Sequence, residues 1–188
     1  MPPARPHLLG IDDGPFDRRR DATVPLVSVM MEGADLVEGV AVGSFPIDGE
    51  GVTTYLAEWI RGQRWRAALQ GIVLGGISIA GLALVDVTAL ARRLDLPVLV
   101  VTRRNPAGST LGTALEAAGL HDRLPLLART PPARRLAGGL YVAWAGTDEP
   151  TAAHLVRASC RKANVPEPLR LAHLIATALV RGASYGRV

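Results

Sequence analysis

The sequence predicts an α/β domain built on a mixed sheet, in which a three-strand antiparallel meander precedes parallel strands joined by crossover helices. Three observations lead there. The early part of the chain carries β-branched runs divided by tight-turn residues. Beyond the first helical segment, short apolar runs alternate with helical periodicity, an alternation that requires parallel crossovers. Of the 188 residues, 48% are hydrophobic and 20% charged, proportions that allow a sizeable core and argue against disorder. The length is close to one typical domain, so residues 1–188 are read as a single domain.

Leu8 to Ile11 is a short apolar strand that stops at Asp12-Asp13-Gly14-Pro15, where glycine and proline force a turn. A charged stretch, Asp17 to Asp21, leads into Val24 to Met31, the turn Glu32-Gly33-Ala34-Asp35, and Leu36 to Phe45, a hairpin by turn chemistry and β-branched content. Thr53 to Arg61 has helical spacing, with Leu56, Trp59 and Ile60 on one face and Thr53 or Thr54 as the cap of its first turn. A strand at Ile72 to Leu74, a glycine loop, a helix from about Leu84 to Leu94, a strand at Pro97 to Thr102 and a helix from about Ser109 to Ala118 follow. Tyr141 to Ala145 reads as a further strand and Thr151 to Ala163 as a helix. Leu169 to Arg181 is the last helix, with Pro168 where a first turn tolerates it. Meander, helix, then parallel strands is the topology of the RNase H-like fold, which by itself names no function.

Charge and cysteine content narrow the classes. Basic residues exceed acidic by 21 to 17, and every basic residue but Lys162 is arginine. That excess permits a nucleic-acid partner without requiring one, and guanidinium groups suit phosphate better than ammonium groups do. A lone Cys160 excludes an intrachain disulfide and a cysteine zinc cluster, so a reducing cytoplasm fits best. Met1 to Gly10 lacks the apolar core and cleavage site of a secretory leader. Ala67 to Val85 is 19 residues without a charge, long enough to span a bilayer. Its glycines at 71, 75, 76 and 81 divide it into a strand, a loop and a helix start, so no membrane partner is expected.

The candidate chemistry is carried by carboxylates at strand ends. Phosphodiester hydrolysis is served by a hard divalent ion that activates water and neutralises charge on the leaving oxygen. Asp12, at the end of strand one, is the first candidate, with Asp13 pointing to the opposite face. Asp48, in Ile47-Asp48-Gly49-Glu50 at the end of strand three, is the preferred second ligand, and Glu50 the reserve. Turn chemistry alone would select the same residues. Arg103 and Arg104 leave the carboxyl end of a buried strand, where open α/β sheets place ligands, and could clamp a phosphate or simply form a solvated loop. Arg170 and His173 share a face of the last helix and could reach one phosphate or base. Gly76, in Gly75-Gly76-Ile77-Ser78, could let a phosphate backbone approach, although the stretch lacks the lysine and spacing of a P-loop. No two histidines have the spacing of a helical zinc pair, and no serine sits in a nucleophile elbow.

Four blocks closely resemble the endonuclease dU family, which is largely archaeal, was formerly a domain of unknown function, and is similar in fold to endonuclease V. They are Leu9 to Phe16; Val73 to Ile77 with Ala80-Gly81 and Val85-Asp86; Leu96-Pro97-Val98 through Arg103-Arg104; and Pro166 to Ala176. The resemblance runs nearly end to end. It implies a magnesium-dependent endonuclease, with manganese as the alternative ion, that cuts DNA containing deaminated bases, deoxyuridine in particular. It implies Asp12 as the first catalytic aspartate and metal ligand, with Asp48 or Glu50 near the second acidic position. The family usually reads Leu-Asp-Gly where this chain reads Leu74-Gly75-Gly76, which removes a principal metal ligand. A rival reading therefore stands beside the nuclease: a catalytically degenerate nucleic-acid-binding protein of the same fold.

Overall fold

A computed structural model describes residues 3–136, 138–161 and 164–185. The apolar first strand, β1 (His7–Asp13), pairs antiparallel with β2 (Thr23–Glu32). Gly33, at φ 62, turns the chain into β3 (Leu36–Pro46), which returns antiparallel along β2 with a bulge at Met30/Met31. Helix α1 (Val52–Arg61) then leads to β4 (Gly71–Leu74), parallel to β1 on its other side. A small hairpin of β5 (Ser78–Ile79) and β6 (Ala83–Leu84) and helix α2 (Val87–Leu94) cross to β7 (Val98–Thr102), parallel to β4. Short helices α3 (Leu111–Ala117) and α4 (Leu124–Ala128) precede the edge strand β8 (Arg134–Arg135). Strand β9 (Tyr141–Ala145) runs antiparallel between β7 and β8, and helices α5 (Glu149–Ser159) and α6 (Glu167–Arg181) follow. The main sheet has seven strands in the order β3-β2-β1-β4-β7-β9-β8, the meander and parallel pairs that the sequence predicts.

Period-two alternation sorts the strand residues onto two faces. Leu9, Ile11, Ile72, Leu74, Val98 and Val100 meet α1 and α2 through Leu56, Ile60, Leu90 and Leu94. On the opposite face, Leu8, Val73, Leu99 and Val101 meet Leu155 and Val156 of α5 and Leu169 of α6. Each fully buried leucine contributes about 1.5–3 kcal/mol, so the two layers together fix the sheet. No helix among the described residues is long and apolar enough to cross a membrane, and the uncharged stretch from Ala67 to Val85 is spent on a buried strand and the hairpin.

Three local expectations are corrected. The chain after β4 does not enter a helix at Leu84. It first forms the β5–β6 hairpin, turned by Ala80 (φ 51) and Gly81 (φ 86), and α2 starts only after Asp86, whose carboxylate accepts from the Ala89 amide at 2.8 Å. Neither Thr53 nor Thr54 caps α1, which begins after Gly51 at φ 74. Their hydroxyls instead accept from the Asp86 amide (2.9 Å) and from Arg93 (2.7 Å), tying α1 to α2. Helix α5 ends at Ser159, and the expected terminus at Ala163 lies outside the described residues.

Helix α6 lies directly on β1. A side chain at Gly10 would overlap the backbone of Pro168 and Leu169, so only glycine lets the strand and the first turn of α6 approach this closely. Gly10→Ala should therefore lower stability by about 3 kcal/mol, whereas Gly75→Ala, whose Cβ would meet only Leu169 methyl groups, should change it by less than about 1 kcal/mol. Urea unfolding of both variants checks this. A Gly10→Ala protein as stable as the parent would show that strand and helix do not pack in this way.

Candidate functional site

The last two residues of β1 diverge. Asp12 faces α6, and its Oδ2 accepts a hydrogen bond from His173 Nδ1 at 2.7 Å. This bond, opposed by partial burial, holds the His173 imidazole above its ordinary pKa, which favours the protonated ring beside the Asp12 carboxylate. Asp13 faces the hairpin and accepts from the Ala80 amide at 2.8 Å. Burial first, and the Asp12 charge second, push its carboxyl above the usual range.

Asp12 and His173 share the wall of a cavity of about 390 Å³ at the carboxyl ends of β1, β4 and β7. Gly75 and Gly76 form its lip, and Arg103 and Arg170 bring guanidinium groups to it. Arg170 is held by the buried Glu167 carboxylate through two bonds of 2.8 and 2.6 Å, the i, i+3 spacing of one helical turn. A second cavity, of about 720 Å³, adjoins the first through Gly76 and Ser78 and is lined by Arg104 and Asn105. Five of the residues chosen from sequence thus meet in one place: Asp12, Gly76, Arg103, Arg170 and His173. Arg104 borders the neighbouring space.

Asp48 and Glu50 are placed elsewhere, so the expected convergence of these acids with Asp12 is not what the fold builds. Asp48 sits at φ 55 and accepts from both arms of Arg18 (3.0 Å each) and from the Leu82 amide at 2.6 Å. Its backbone oxygen accepts from the buried Arg123 at 2.6 Å, and Arg123 also donates to Leu82 O at 2.7 Å. The left-handed turn at Asp48 directs its carboxylate to the β5–β6 hairpin, where a side chain at Gly81 would collide with it. The Arg18 guanidinium, ahead of the Leu82 amide, holds the Asp48 carboxyl below its ordinary range. Glu50 borders a separate recess of about 260 Å³ with Arg123 and Arg129. Asp86 caps α2 and pairs with Arg129 at 3.1 Å.

Magnesium takes oxygen ligands and is often held by one or two carboxylates, with water and phosphate completing its shell. The cavity brings one carboxylate, Asp12, already bonded to His173, and Gly75 contributes none. Among the described residues, no trio of closely spaced metal-ligating side chains includes Asp12. The residues present fit an ion shared with a substrate phosphate. They do not fit an ion caged by several carboxylates.

Arg18 and Arg123 hold Asp48, and Glu167 holds Arg170, without having been singled out, whereas Asp13 points away from Asp12 as the strand alternation predicts. The Glu167–Arg170 spacing was a usable signal. The Arg18–Asp48 and Arg123–Asp48 pairings, 30 and 75 positions apart, left none. Cys160, pushed up to about 11 by burial and then by Glu167, is an unreactive thiol.

The profile of the Endonuclease dU family matches residues 5–180. The chain is 34% identical over 183 residues to a UPF0215 protein of Methanothermobacter thermautotrophicus, covering 95% of this chain and 90% of that protein. A crystal structure of a protein of unknown function from Archaeoglobus fulgidus superimposes with a TM-score of 0.86 at 33% identity, over 95% of this chain and all of that one. Endonuclease V of Ciona intestinalis, solved in complex with a DNA containing an inosine, shares the fold with a TM-score of 0.57 at 10% identity, over 89% of this chain and 82% of that one.

Because the folded pKa of Asp48 is depressed, its contribution to stability is fully present above the unfolded value of about 3.9 and is lost as pH falls through the lower folded value. Asp48→Asn should cost about 2 kcal/mol at pH 7, and the gap to the parent should begin to narrow only as pH falls below about 4. Denaturant unfolding at both pH values tests this, and equal stabilities at pH 7 would remove the Arg18–Asp48 clamp from the account.

Proposed function

The chain belongs to the endonuclease dU family, and from that membership and the cavity around Asp12 we propose that it is an endodeoxyribonuclease acting on DNA with deaminated bases, deoxyuridine in particular. The observation that carries this reading is the meeting of Asp12, His173, Arg103 and Arg170 at the carboxyl ends of parallel strands, where open α/β sheets place ligands. Arg103 and Arg170 supply positive charge for the backbone phosphates, and Glu167 fixes the direction of Arg170. His173, whose protonated form Asp12 favours, donates to a phosphate oxygen or passes its proton to the departing oxygen. Gly76 leaves the lip open for the strand to pass between the two cavities. A magnesium or manganese ion held by Asp12 and the scissile phosphate would lower the pKa of a water molecule and offset charge on the leaving oxygen. Asp48 and Glu50 are assigned no catalytic part. A DNA substrate would place the protein in the cytoplasm.

Gly75 favours a second reading, in which the chain binds such DNA without cutting it. A carboxylate at position 75 would find room beside Leu169, so the missing acid is a matter of residue identity and not of space.

Uracil- and inosine-containing strands incubated with the protein and magnesium or manganese separate the two. The nuclease reading expects cleavage that falls about 10²-fold or more in Asp12→Ala, and by a comparable margin in His173→Ala. Binding without cleavage in the parent, with cleavage appearing in Gly75→Asp, would replace the nuclease by the binder. Cleavage unchanged in Asp12→Ala would reject the cavity as the reacting site.

A further inference from the structure

At the far end of β1 from Asp12, His7, Glu32 and Glu38 place one ligand atom each within 4.8 Å of one another. We propose that these three side chains form a binding site for a divalent cation of the zinc type, distinct from the Asp12 cavity. The two places are five residues apart on one strand, about 17 Å at strand rise.

The local backbone builds this trio. His7 and Glu32 are direct cross-strand partners in the β1–β2 ladder, so their side chains leave the same face. Regular alternation along β3 from Val40 would send Glu38 to the other face. The bulge prevents it: Gly39 pairs with Met30 and Val37 with Met31, so Glu38 is the extra residue. It turns toward His7 and approaches Nε2 at 3.1 Å. Gln70 fixes the backbone of His7 from both sides, accepting from its amide at 2.9 Å through the side chain and donating to its carbonyl at 2.9 Å from the main chain.

Charge favours a dication there. Glu32, Glu38 and Asp35 bring three negative charges and Arg5 one positive, which leaves −2 while His7 is neutral. Arg5 donates to Glu32 at 2.8 Å and also to Asp35 at 2.7 Å, so it keeps a partner when Glu32 turns to an ion. One imidazole nitrogen and two carboxylate oxygens, with a water in the fourth position, make a donor set that suits zinc and to a lesser degree manganese, whereas magnesium prefers oxygen alone. In a tetrahedral shell such donors stand about 3.3–3.6 Å apart, so the side chains need only small rotations to close on the ion. Bound there, the ion would pin together the starts of β1 and β3 and the end of β2.

Calorimetric titration of the whole chain with zinc chloride tests this, using Glu38→Gln as the decisive variant because Glu38 is exposed and its replacement leaves the fold intact. The expected result is one zinc per chain in the parent and in Asp12→Ala, affinity weakened roughly tenfold or more in Glu38→Gln and His7→Ala, and no competition from equimolar magnesium. Thermal unfolding should rise with zinc in the parent and stay fixed in Glu38→Gln. A parent that does not bind zinc, a Glu38→Gln protein that binds it as well as the parent, or binding abolished by Asp12→Ala would each overturn the assignment. Because Asp12→Ala retains zinc under this proposal, its outcome is independent of the nuclease reading.

Discussion

The absence of a side chain at Gly10 is the constraint on which the rest of the molecule turns. It lets the backbone of α6 rest on the backbone of β1, and this contact sets where every later residue of the helix falls. His173 lands over Asp12, Arg170 points into the same cavity, and Ala172 and Ala176 keep the helix low over Val27, Val29 and Met31 of β2. Small residues at 172 and 176 continue what Gly10 starts. A helix held even one methyl group further out would carry its imidazole and guanidinium away from the strand ends.

Asp12, Asp13 and Asp48 all reach the carboxyl-end side of the sheet and its loops, and the fold gives each a different task. Asp13 is half-buried against the β5–β6 hairpin and Asp48 is saturated by Arg18, the Leu82 amide and its own turn. Among the described residues Asp12 is the carboxylate that lines the cavity, and the His173 imidazole satisfies it there. The balance around the cavity is accordingly cationic, with one acid among Arg103, Arg170 and His173, a character that suits the polyanionic backbone of a nucleic acid more than the binding of a bare cation.

Strand signals in the sequence were strong because burial on two faces leaves little choice of residue. The meander, the parallel β4 and β7, the strand at 141–145 and the last helix can all be read from apolar runs and their punctuation. Asp12 and Arg103 were legible for the same reason, since each sits at the end of such an element, and Arg170 and His173 because helical spacing puts them on one face. Asp48 was not, because a turn residue at positive φ aims its side chain by dihedral angles that the one-dimensional pattern does not encode, and its partner lies 30 positions away. The β5–β6 hairpin was hidden by its composition, which is as apolar as a helix start, and the two threonines of α1 were diverted from capping by a helix that follows them at a distance. Local propensity lost at each of these points to a contact made only in three dimensions.

Asp12 and His173 are separated by 161 positions, so they meet only after α6 has left the ribosome. A nascent polypeptide can lay down the meander and the parallel strands while the helix that roofs Asp12 is still in the exit tunnel. During that interval it presents neither the His173 imidazole nor the Arg170 guanidinium. The same dependence extends to cleavage by proteases: loss of the segment after Pro166 would uncover the apolar face of β1 and β2 and strip the cavity of Arg170 and His173 at one stroke.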